Sequence, residues 1–289
     1  MYSEISANKR KTWLIMALFV VIIGVLGWIV SAMYNSPSLL YVAFGAGTFY
    51  ALIEYFVAAR LALVANGAHE IQKRDNPRLF RTVENLTIAT GMPMPKIYII
   101  DDPSPNAFAT GRDPNNASVC VTTGLLQMMN DSELEAVMAH ELGHVKNYDI
   151  RVMMIVFGLV SAISLIADII LRLVWWGDDE ERNPVFLVLG IVAAIIAPLV
   201  AFMVQMAVSR RREYLADSTS ALTTRYPEGL ISALQKIGQY GRPMRKQNTA
   251  TAHLFFANPL KSNGITKLFS THPPIEDRIK RLQEMGAHA

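Results

Sequence analysis

The sequence predicts a mainly α-helical membrane protein, with four transmembrane helices and a cytoplasmic α+β domain that contains a small β-sheet. Three observations predict it: long uncharged apolar blocks, basic residues gathered at one end of those blocks, and a polar stretch between them with both helical and strand periodicity. At 289 residues and 52% hydrophobic, the chain is too apolar for an ordinary soluble enzyme, and its mean hydropathy is positive. The net charge of +3 is accounted for by basic residues that flank the apolar blocks, so nothing points to nucleic-acid binding.

Residues 1–11 read as a cytoplasmic tail. Thr12 to Met33 carries no charge, and neither does Leu39 to Ile53, so residues 12–59 form a first transmembrane hairpin. A helix needs ~20 mainly apolar residues to span a bilayer. The second block reaches that length by continuing through Glu54 to about Ala59. The first block is longer than the ~7–15 residue apolar core of a secretory signal and is expected to be retained. Val152 to Trp176 carries only Asp168 and Arg172, and Val185 to Val208 carries no charge, which makes residues 152–208 a second hairpin.

Orientation follows from Lys and Arg, which favour the cytoplasmic side. Lys9, Arg10 and Lys11 precede the first span, Arg60 follows the second, and Arg210, Arg211 and Arg212 follow the fourth. The outer link Tyr34 to Ser38 has no basic residue, and Gly177 to Pro184 is mostly acidic. Residues 60–151 and 209–289 are therefore expected in the cytoplasm, on a multi-pass protein of the cell membrane. The single Cys120 excludes an intrachain disulfide and fits a reducing face.

Within the polar part, Glu70 to Ala89 reads as a helix, Lys96 to Ile100 as a strand, and Ser118 to Thr122 as a second apolar run after the turn-rich Gly111 to Asn116. Ser132-x-x-Glu135 matches a capping box at the start of the next helix. A further helix is expected from Pro227 to Gln239. An irregular stretch from Gly241 to Thr271 follows, and an amphipathic helix begins after Pro273-Pro274.

The helix that starts near Ser132 carries His140-Glu141-Leu142-Gly143-His144. Residues at i and i+4 lie one turn apart on one face, so both imidazoles can hold one metal ion, and the adjacent glutamate can activate a water there. With 6 His in the chain, about 0.006 such motifs are expected by chance, which makes an accidental match improbable. At 100° per residue, Val145, Met138 and Leu142 fall within roughly 80° of Leu134, whereas His140 and His144 fall at roughly 240° and 280°. The histidines thus turn away from the apolar arc, as ligands would. A catalytic zinc has three protein ligands and one open position. Glu213 is the candidate third ligand, because spans three and four run out and back and bring it beside His144. Asp217, four residues on, can accept a ring N–H of a ligand histidine. His272, Tyr148 and Arg278 are candidates for the group that stabilises the oxyanion of the transition state.

These motifs, with Glu213 to Asp217, Asn106 to Gly111, His144 to Asp149 and Thr271 to Arg278, resemble the HtpX family of membrane zinc metallopeptidases, relatives of the CAAX prenyl endopeptidases. The resemblance covers most of the chain. It implies a zincin-like metallopeptidase domain with one Zn2+ on His140, His144 and Glu213, and Glu141 as catalytic base. It also implies that Asn106, Ala107, Phe108, Ala109 and Thr110 form an edge strand for the substrate backbone. The expected function is endopeptidase cleavage of misfolded or membrane polypeptides in quality control at the inner membrane. Two other readings stay open: a prenyl-protein endopeptidase, against which four spans rather than a larger helical chamber argue, and a zinc-binding membrane scaffold, against which the intact Glu141 argues.

Overall fold

A computed structural model describes residues 2–33, 35–175, 210–240, 242–245, 251–257 and 273–286. Helices α1 (Tyr2–Met33) and α2 (Pro37–Ala65) form an antiparallel hairpin, reversed at Asn35 with φ 48° and restarted by Pro37 in the first turn of α2. Gly27 meets Leu40 and Ala43, Gly47 meets Ile23, and Phe19 meets Tyr50, so the two helices stay in contact along their length. Both are long and apolar enough to cross a membrane, over Ile5–Ile29 and Pro37–Ala65. Residues 2–11, expected as a tail before the first span, form the opening turns of α1. The cause is a buried stripe of Asn8, Thr12, Ile15 and Phe19 that runs on from the apolar face.

Helix α6 (Asp149–Trp175) packs Val152, Ile155, Val156, Leu159 and Ile163 against that stripe. It contains most of the expected third span. The expected fourth span, 185–208, and the link before it lie outside the described residues. Tyr50 Oη donates to the Gly158 carbonyl at 3.0 Å, and a side chain at Gly158 would collide with the carboxylate of Glu54. Small residues of this kind let helices approach closely inside a membrane. Glu54 is buried there, and its two carboxylate oxygens have no hydrogen-bond partner among the described residues.

The sheet has the order β1-β2-β4-β3, from His69–Glu70, Lys96–Ile100, Ala117–Thr122 and Ala107–Gly111. Strand β2 runs parallel to β4, while β1 and β3 are antiparallel to their neighbours, which leaves β3 on an edge. Strand β2 matches its expected bounds. The expected helix over Glu70 to Ala89 is shorter: Glu70 pairs with Tyr98, and α3 (Pro77–Thr90) starts only where Asn76 caps the Leu79 N–H and Pro77 presets the first turn.

After α4 (Thr123–Met128), helix α5 (Asp131–Lys146) is the centre of the domain that carries the sheet. Its capping box uses Asn130 and Glu133, not Ser132 and Glu135. The Asn130 side chain accepts the Glu133 N–H at 2.9 Å, and Glu133 accepts the Asn130 N–H at 2.8 Å. The Leu134, Met138, Leu142 and Val145 arc packs into one core with Leu79, Val83 and Leu86 of α3 and Val119 and Val121 of β4. The same core takes in Leu230 and Leu234 of α8 (Pro227–Tyr240). Helix α7 (Arg210–Thr224) closes the opposite side of α5, and α9 (Ile275–Gly286) lies over α7 and α8.

Candidate metal centre

Two helices supply the centre. On α5 the i, i+4 spacing stacks His140 and His144, and on α7 the same spacing stacks Glu213 and Asp217. The helices come close where Gly143 has no side chain, so that an added Cβ would already touch Ala216 and Thr219 of α7. Ser220 Oγ fastens the crossing by donating to the Ala136 carbonyl at 2.6 Å. Helix α5 is buried almost all round. Its histidines face away from the Leu134 arc, yet they face protein rather than solvent.

The three ligand atoms converge. One donor atom each from His140, His144 and Glu213 lie within 4.8 Å of one another. The two Nε2 atoms are 3.2 Å apart, and they stand 3.8 Å and 3.5 Å from the Glu213 carboxylate oxygens. Two nitrogens on a tetrahedral zinc, each at about 2.0–2.1 Å, are about 3.3 Å apart. The spacing therefore fits that ion.

Tautomers point the same way. His140 Nδ1 is 2.9 Å from Asp217, and His144 Nδ1 is 3.0 Å from Asp149. A carboxylate only accepts, so each Nδ1 carries the hydrogen, and both Nε2 lone pairs point at the shared space. Burial pushes His140 down to about 4, against the pull of Asp217. Burial acts to lower His144 as well, but Asp149 and Glu213 outweigh it and lift it to about 9. The two Nε2 atoms and the Glu213 carboxylate would together hold a divalent cation.

Around the donors the charges are held in place. Arg278 of α9 is fully buried and grips Asp217 with two bonds, Nη2 to Oδ1 at 2.6 Å and Nε to Oδ2 at 2.9 Å. Burial would raise the Asp217 carboxyl, yet the Arg278 charge and the bond from His140 hold it far below the usual carboxylate range. Arg278 also stacks on Phe256, 4.6 Å from its ring centre, and that ring meets His140 edge-on at 4.9 Å. Burial pushes Glu141 up to about 7, although it accepts the Ala109 N–H of β3.

The edge strand thus runs beside the motif helix. Thr122 N–H donates to the Asn106 carbonyl, so alternate residues from Ala107 turn their backbone groups outward. Two are already used: the Phe256 N–H donates to the Ala107 carbonyl at 2.7 Å, and the Ala109 N–H donates to Glu141. The Asn106 side chain clamps both backbone groups of Ala257, at 2.8 Å and 3.0 Å.

Of the residues singled out in the sequence, His140, Glu141, His144, Glu213, Asp217 and Arg278 come together, with Ala109 beside them. Tyr148 occupies a left-handed turn, φ 61°, with its ring between Lys9 and Arg151. His272 lies outside the described residues. Asp149 was missed, although a carboxylate just beyond the motif helix at the start of the next is a readable signal. Phe256 gave no signal at all.

A sequence model described as Peptidase family M48 matches residues 73–286. The Protease HtpX homolog of Tropheryma whipplei (strain Twist) is 53% identical over 288 residues, covering 99% of each chain. The Protease HtpX homolog of Lactobacillus helveticus is 46% identical over 298 residues, covering 99% of this chain and 100% of that one. The crystal structure of S. mikatae Ste24p has a similar fold, with TM-score 0.53 at 17% identity over 98% of this chain and 67% of that one.

Proposed function

Because this chain belongs to peptidase family M48 and is an HtpX-type metalloprotease, we propose that it is a membrane-embedded zinc endopeptidase that cleaves misfolded or membrane polypeptides in quality control. In this reading His140, His144 and Glu213 hold the ion and Glu141 is the catalytic base. The convergence of those three donors within 4.8 Å, beside a buried glutamate, carries it. The relatives' description as HtpX proteases favours this reading over a prenyl-protein endopeptidase or a scaffold.

A bound Zn2+ polarises the scissile carbonyl and acidifies water to a pKa of ~7. Glu141 takes a proton from the attacking water on its carboxylate and passes it to the leaving amine. Asp217 and Asp149 fix the two imidazole planes, and Arg278 acts through Asp217 rather than on the substrate. Arg278 is bound to Asp217, and Tyr148 and His272 are the candidates for the oxyanion donor. An extended substrate adds along the outer edge of β3 from the Ala109 carbonyl onward, since Phe256 takes the Ala107 carbonyl and Glu141 the Ala109 N–H. The Lys and Arg distribution sets the centre at the cytoplasmic face of a multi-pass protein.

Glu141→Gln tests the assignment. The variant is expected to retain zinc and to cleave an unfolded substrate such as casein at least ~100-fold more slowly. Undiminished cleavage would overturn it.

A further inference from the structure

The first helix reaches the metal centre. Asn8, on the opening turns of α1, donates from Nδ2 to Asp149 Oδ1 at 2.7 Å and to the Asn147 carbonyl at 2.9 Å. All three residues are buried. Both partners are acceptors, so the amide group must present its NH2 to them; the flipped orientation would set oxygen against oxygen. The other oxygen of Asp149 accepts His144 Nδ1 at 3.0 Å. A continuous path therefore runs Asn8, Asp149, His144, and its first member belongs to a helix apolar enough to enter a membrane.

A carboxylate bonded at one oxygen can swing about that bond. Bonded at both, it has a fixed plane, and the imidazole that leans on it has a fixed direction. We propose that Asn8 is a positioning residue for the ligand His144, acting through Asp149, and that it couples the first apolar helix to the metal centre. Lys9 strengthens the same junction from above the Tyr148 ring, 4.8 Å from its centre, so α1 grips the α5–α6 turn at two adjacent residues. The inference rests on the metal-centre reading given above.

The test is a zinc-affinity measurement by chelator competition on the full chain in detergent. Asn8→Ala is expected to weaken zinc about tenfold, the low end for groups that stand behind a metal ligand. Asn8→Ser, too short to reach Asp149, is expected to match it and serves if the alanine variant does not fold. In an Asp149→Ala background the same Asn8 substitution should have no further effect, because its route to His144 is already gone. Thr12→Val removes a bond from Thr12 to the Asn8 carbonyl in the same helix without touching Asp149, and should leave zinc affinity unchanged. Unchanged affinity in both Asn8 variants overturns the proposal. So does a loss that persists undiminished without Asp149, or an equal loss in Thr12→Val, since either means general loosening of α1. Absence of zinc from the wild-type protein overturns the metal-centre reading itself, which separates the two failures.

Discussion

Arg278 is the largest of the fully buried side chains, and it is a charged one. A guanidinium is tolerated there because Asp217 meets it with two near-parallel bonds, a geometry that lysine cannot reproduce. Arg278→Ala leaves the buried Asp217 carboxylate with only the His140 N–H, and breaking such a pair costs roughly 3–5 kcal/mol. The expected result is a large fall in the thermal midpoint together with weaker zinc, because Asp217 loses its hold on His140. Arg278→Lys should keep the charge and recover only part of either quantity. If zinc affinity stays at the wild-type value in Arg278→Ala, Asp217 orients His140 without help from α9.

At the scale of elements, the start of α5 carries a device that responds to pH. That start is tied to α8 through Glu133, which accepts Lys236 Nζ at 2.7 Å and Ser232 Oγ at 2.6 Å besides the Asn130 N–H. Burial would raise the Glu133 carboxyl, but those bonds lower it below its ordinary value. A depressed carboxylate stabilises the fold above its unfolded pKa of about 4.3 and loses that contribution as the pH falls through the folded value. Glu133→Gln should therefore lower stability by about 1.5–3 kcal/mol at neutral pH, with the gap closing in acid, as thermal melts across pH would record. A gap that is constant with pH would mean that the charge of Glu133 contributes nothing. Which elements could be read from the sequence follows from how local their causes are. Strand β2 and helix α5 have their periodicity and boundaries within their own residues. The helix expected from Glu70 began too early because the pairing of Glu70 with Tyr98 is invisible in its own segment. The cap moved from Ser132 to Asn130 for the opposite reason, since two overlapping patterns satisfied the same rule and only backbone geometry chose between them. The centre divides likewise. His140 and His144 announce themselves by spacing and Glu213 by topology, whereas Asn8 meets Asp149 across 141 residues and no local pattern encodes that.

At the scale of the whole molecule, α5, α6, α7 and α9 all bring charge or donors to one point, so an ion bound there links them. Stability then responds to free zinc by mass action, about 2.7 kcal/mol at a hundredfold excess over Kd. Removing the metal with a chelator should lower the thermal midpoint, and zinc should restore it; an unmoved midpoint would mean that the centre is rigid without the ion. The topology has its own test. Cys120 is buried and should not react, so a single cysteine placed at Asp178 reports on the link between spans three and four. Labelling of intact cells by a membrane-impermeant thiol reagent is expected, and protection until the membrane is opened would overturn the four-span reading.

Arg278 stands 138 residues after His140, yet the two side chains lie 3.4 Å apart. A ribosome delivers the motif helix long before it delivers the helix that fixes Asp217 against it. Through nearly half of translation the growing chain accordingly carries both histidines without the clamp that aligns them. The clamp on Asp217 is therefore complete only once the last helix of the chain has been made.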